Sequence, residues 1–149
     1  YTDKVVGEFL RTAQALDETA LFVLSGDHSE RFSFAKEVPT RTTSAIPCIF
    51  YGQGVEKNLF SASSYGCHAQ LPGTLAELLA PAGFTYSAIL PNMFENQDPV
   101  FATNLYAYKD TVGRTKDEAF KNLPQDVKSR MEAARKLSTQ RVFQGNKIK

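Results

Sequence analysis

Long apolar runs are missing from these 149 residues; the longest unbroken one is Ala20–Leu24. A transmembrane helix needs about 20 apolar residues, so no membrane span is expected. Cysteine is scarce too. Cys48 and Cys67 are the only two, and neither sits in a Cys-x-x-Cys pair, so they cannot define a zinc site or a disulfide-dense miniprotein. They are compatible with one disulfide in an oxidising compartment or with two thiols. There is no internal repeat and no low-complexity tract. Apolar residues at 42% and charged residues at 22% are ordinary globular usage, which excludes a wholly disordered or collagen-like chain. This length suits one domain over residues 1–149, able to bury roughly two thirds of its unfolded surface. No signal-peptide pattern opens the chain and its first residue is Tyr1, so a processed chain or a part of a longer one is expected.

The net charge of +1 conceals an asymmetry. Residues 1–120 hold nine Lys/Arg against fourteen Asp/Glu, and residues 121–149 hold eight against two. A basic tail can bind nucleic acid or anionic lipid, or it can be the solvated side of a helix. Leu123, Val127, Met131, Ala134 and Leu137 recur through it at helical spacing, which favours the helix, capped by Asn122. Nucleic acid is not an expected partner.

Upstream, Val5, Val6, Phe9, Leu10, Ala13 and Leu16 give a wide helical stripe behind a Thr2 cap. Ala20–Leu24 shows no alternation and suits a parallel strand covered on both faces. Residues 29–44 read as loop, Ile46–Tyr51 as a second strand, and Ala69–Leu79 as a helix stopped by Pro81 and Gly83. Tyr86–Leu90 is a third strand candidate, and Leu105–Val112 a strand near an edge. Helices alternating with buried strands predict an α/β layer architecture.

The densest chemistry follows the first strand: Ser25-Gly26-Asp27-His28-Ser29-Glu30-Arg31. Ligands of open α/β sheets gather beyond the carboxyl ends of strands. A carboxylate and an imidazole from adjacent residues suit a zinc- or manganese-like ion. The plainer alternative is that Asp27 caps the next turn and His28 is a loop histidine. His68 stands at a helix entrance, where it could complete a metal site or contact an anionic substrate.

Leu24-Ser25-Gly26-Asp27-His28-Ser29, following a helix and a buried strand, resembles the metal-ligand turn of the sulfatase and alkaline phosphatase superfamily. The closest branch is that of the lipoteichoic acid synthases and phosphoethanolamine transferases. Thr43-Ser44-Ala45-Ile46-Pro47-Cys48-Ile49-Phe50-Tyr51-Gly52 resembles that family's next strand. His68-Ala69-Gln70-Leu71-Pro72-Gly73-Thr74-Leu75 resembles its His-x-Asp-apolar-x-Pro-Thr-Leu helix start, with Gln70 in place of Asp and Gly73 in place of Pro. Ser29 replaces a common Gly. The three segments occupy residues 1–83; residues 84–149 carry no matching motif.

The resemblance implies a layered α/β/α sandwich, present here as the C-terminal portion of an alkaline-phosphatase-like domain. It implies that Asp27 and His28 hold a divalent metal, manganese or zinc before calcium or magnesium. It places His68 in the same cleft, as a second-metal ligand or a substrate contact, and lets Arg31, Lys36 and Arg41 supply positive charge. The substrate would be a sulfate or phosphate ester, free or lipid-linked, handled outside the cytoplasmic membrane. Neither cysteine has the Cys-x-Pro-x-Arg setting of a formylglycine nucleophile. The nucleophile is therefore expected in an upstream half of the domain, and this chain alone is expected to be inactive. The alternative is a non-catalytic α/β module that binds a partner or an anion on the same scaffold.

Overall fold

A computed structural model describes residues 1–29, 39–60, 65–94, 99–102 and 104–144, with side chains to residue 140. The fold is mixed α/β, with α-helices and two small antiparallel sheets. It divides into two compact units, Tyr1–Leu59 and Phe60–Lys149.

In the first unit, α1 spans Thr2–Leu16 and is held to the sheet by aromatic side chains. Phe9 meets Phe22 edge-on with ring centroids 6.4 Å apart, and the Tyr51 hydroxyl donates to Gln14 Oε1 at 2.9 Å. Asp17 ends the helix. Its carboxylate accepts the hydroxyl and the backbone N–H of Thr19 at 2.7 and 2.9 Å, and these bonds hold its carboxyl below the usual range.

The chain then enters β1, Leu21–Ser25, which pairs with β2, Cys48–Gly52, from Leu21 opposite Gly52 to Ser25 opposite Cys48. Gly52 has φ +154°, and a Cβ there would stand 2.5 Å from the Ala20 carbonyl oxygen, so only glycine fits. The pairing is antiparallel and the strand only partly buried, which corrects the expected parallel strand covered on both faces: an unbroken apolar run carries no information on direction. Residues 29–44, read as loop, contain a short helix, α2, at Thr40–Ser44. The helix α1 begins after Tyr1, so Thr2 lies inside it and is not its cap.

No described residue of this unit is buried. Val5, Phe9 and Leu16 share one helical stripe and remain 47%, 63% and 85% exposed.

The second unit builds a core. A 3-10 turn at His68–Gln70 leads into α3, Leu71–Leu79. The strands β3 (Val100–Phe101), β4 (Leu105–Tyr108) and β5 (Thr111–Arg114) form an antiparallel sheet in that order. The single edge strand expected over 105–112 is thus a hairpin, turning at Lys109 with φ 50°. Tyr86–Leu90 is not a strand. The short helix α4, Glu118–Lys121, ends at Asn122, and α5, Gln125–Gln144, begins after Pro124. Asn122 therefore closes one helix instead of opening the next. Lys128, on the first turns of α5, donates to the Lys121 carbonyl at 2.9 Å.

Tyr106, Val127 and Met131 are buried together, with Phe101, Tyr108, Phe120 and Leu123 around them. Tyr106 lies opposite Gly113, and a Cβ on Gly113 would fall 2.9 Å from the Tyr106 hydroxyl and ring. The Tyr106 hydroxyl is enclosed and finds no hydrogen-bond partner among the described residues. Burial, then the nearby Asp117 charge, pushes this phenol up from its ordinary value.

An unmatched buried hydroxyl costs about 1–3 kcal/mol. Tyr106→Phe should therefore stabilise the protein by about 1 kcal/mol in urea denaturation. Gly113→Ala should destabilise it by about 1–3 kcal/mol through overpacking. The phenol stays protonated longer in the folded state than in the unfolded one. Stability should accordingly fall as pH rises through the ordinary tyrosine range near about 10, and Tyr106→Phe should remove that part of the fall.

Candidate metal centre

Beyond β1 the ladder runs one residue further, the Gly26 N–H donating to the Pro47 carbonyl at 3.3 Å. Gly26 lies against Ile46, where a Cβ would meet the Ile46 side chain at 3.3 Å. A larger residue there would push the strand exit off β2. The next two residues turn outward, His28 half exposed and Asp27 more so.

The hydrogen bonds in this turn decide what the imidazole can do. Asp27 Oδ1 accepts the His28 backbone N–H at 2.9 Å. His28 Nδ1 stands 2.7 Å from the Ser29 carbonyl oxygen. A carbonyl can only accept, so Nδ1 carries the proton. In the neutral ring the lone pair is then on Nε2, which is how a second hydrogen bond prepares a histidine ligand.

His28 Nε2 faces Asp27 Oδ2 at 3.5 Å. With the ring neutral, two lone-pair atoms confront each other across that gap. A cation between them removes the conflict, and so does protonation of the ring, which gives only a weak exposed ion pair. Two ligands each about 2.1 Å from a tetrahedral ion stand about 3.4 Å apart, so the gap suits a zinc-like or manganese-like ion. The pair supplies one nitrogen and one oxygen donor, half of a four-coordinate shell. Among the described residues no group of three or more His, Cys, Asp or Glu could hold a metal.

The other candidates are placed differently. His68 is exposed on the 3-10 turn of the second unit. Arg41 is exposed on α2, while Arg31 and Lys36 lie outside the described residues. Cys48 and Cys67 are free thiols, and burial pushes both thiols up, so neither is an activated nucleophile.

Gln70, which stands where the resembled motif has Asp, is 1% exposed. Its Oε1 accepts the Cys67 backbone N–H at 3.1 Å, and its Nε2 donates to the Pro91 carbonyl at 3.0 Å. This structural use of Gln70 went unread in the sequence. The Cys67-x-x-Gln70 spacing was the available signal, for it is that of a capping box.

The tautomer is directly measurable. Long-range nitrogen–proton NMR correlation on neutral His28 should show protonated Nδ1 and bare Nε2. The reverse pattern would remove the ligand geometry.

Among the described residues no helix is long and apolar enough to cross a membrane. Comparison of the chain with protein-family models, with curated proteins and with solved structures finds no match.

Proposed function

We propose that this chain carries two ligands, Asp27 and His28, of a divalent-metal site that acts on sulfate or phosphate esters. On this reading it is the C-terminal portion of a sulfatase-like hydrolase or of a phosphoglycerol- or phosphoethanolamine-type transferase. The enclosing fold would be the layered α/β/α sandwich of alkaline-phosphatase-like domains. The upstream half of that domain would bring the nucleophile and the remaining ligands.

The observation that carries the reading is the 3.5 Å gap between His28 Nε2 and Asp27 Oδ2, with the imidazole proton held on Nδ1 by the Ser29 carbonyl. The order of the three sequence segments over residues 1–83 supports it. A bound divalent ion would lower the nucleophile's pKa and neutralise charge on the transferring group. Asp27 supplies a negative oxygen ligand, and His28 supplies a neutral nitrogen whose ring is fixed from behind. The resemblance assigns His68, in the second unit, a contact with an anionic ester. Arg31 would add charge toward the same group. A lipid-linked substrate at the outer face of the membrane follows from the resembled branch.

One feature favours the second reading, a non-catalytic anion- or partner-binding module: position 70 is occupied by a structural amide and not by a ligand.

Calorimetric titration with manganese and with zinc separates the two. The wild-type chain should bind one ion. Asp27→Ala should weaken binding by at least about tenfold, and His28→Ala by a similar factor. Equal binding by wild type and Asp27→Ala would place the metal elsewhere and leave the module as the better reading.

A further inference from the structure

We infer that Gln70 and Thr74 are positioning residues for His68, fixing the turn that carries it to the backbone of Pro91–Met93. The inference rests on the reading of His68 as an anion contact.

Both residues are fully enclosed, Gln70 at 1% and Thr74 at 0% exposure, so each polar atom needs a partner. The Gln70 amide joins the Cys67 N–H to the Pro91 carbonyl, and the Thr74 hydroxyl donates to the Gln70 carbonyl at 2.8 Å and accepts from the Met93 N–H at 2.9 Å. Two of these bonds join the 3-10 turn and the first turn of α3 to residues 91–93, and the other two tie the turn to itself.

The chemistry also explains the residue type. Cys67 offers an N–H and Pro91 offers a carbonyl, so position 70 must accept at one end and donate at the other. A carboxamide does both. An ionised carboxylate could take the N–H but would face the Pro91 oxygen with a second acceptor. Gly66 completes the fit, since a Cβ there would strike Met93 Cε at 2.5 Å and crowd Gln70 Oε1 at 3.1 Å.

His68 is the one titratable side chain exposed on this three-residue turn. Cys67 precedes it and Gln70 ends the turn, both bonded inside the unit, so the direction of its Cα–Cβ bond is set by buried bonds and not by the solvent-facing chain. A side chain that meets an anion gains from such fixing, because less freedom is lost on binding.

The test follows the His68 ring by NMR during titration with inorganic phosphate, with the Tyr106 ring signals reporting the core. In wild type, phosphate should shift the His68 ring resonances, and His68→Ala should abolish phosphate binding. Gln70→Met and Thr74→Val, close in size, should weaken it about tenfold, while Thr74→Ser, which keeps the hydroxyl, should retain it. If Gln70→Met unfolds, the Thr74 pair decides. Unchanged affinity in Gln70→Met or Thr74→Val with native Tyr106 signals would overturn the positioning role and leave His68 as the contact. No response in wild type, or full binding by His68→Ala, would overturn the reading of His68 itself.

Discussion

A main-chain carbonyl accepts hydrogen bonds and never donates one, and two such carbonyls set the chemistry of both histidine-bearing turns. The Ser29 oxygen, 2.7 Å from His28 Nδ1, dictates which ring nitrogen keeps the proton and leaves Nε2 toward Asp27. The Pro91 oxygen, 3.0 Å from Gln70 Nε2, dictates that position 70 be an amide. In each case the backbone selects the state of a side chain. Remove the Ser29 contact and the imidazole lone pair has no fixed nitrogen. Remove the Pro91 contact and the turn around His68 loses one of its two bonds to residues 91–93.

The helical stripes and the one unbroken apolar run were legible in the sequence. The α1 stripe, the β1 run and the face of α5 all lie within a residue or two of their expected positions. Direction and punctuation were not. Leu21–Ser25 is apolar on both faces whichever way its neighbour runs, so antiparallel pairing could not be read from it. Leu105–Val112 hid a turn because Lys109 takes a left-handed conformation usually given to Asn or Gly. Its ammonium lies 5.4 Å from the Tyr108 ring centroid, a contact between side chains that helps offset the backbone cost. At the site, the Asp-His pair was visible as a pair of residue types. The tautomer was not, because it depends on a carbonyl that sequence does not aim.

The two units differ in how they hold themselves. In the second, Tyr106 stacks obliquely on Phe120 at 5.3 Å and covers Gly113, so an aromatic ring fills the space a strand side chain would otherwise occupy. The unmatched Tyr106 hydroxyl is the cost of that packing. In the first, a two-stranded sheet and two helices bury none of the described residues completely, although each fully buried large apolar side chain would contribute about 1.5–3 kcal/mol. A two-stranded sheet has little stability of its own.

The Asp27–His28 turn therefore sits on the weaker unit, and this changes what a ligand does there. Any ion that binds the folded turn and not the unfolded chain stabilises the unit by mass action, by about 2.7 kcal/mol at a hundredfold excess over its dissociation constant. In a unit with a deep core that increment would be minor. Here it is comparable with burying one more large side chain. The same coupling would run in reverse: anything that stabilised the folded first unit would also steady the strand exit at Gly26. If the turn holds an ion as proposed, its affinity and the integrity of the first unit are two readings of one equilibrium. The 3.5 Å gap is as much a property of how well β1 and β2 are held together as of the two residues that span it.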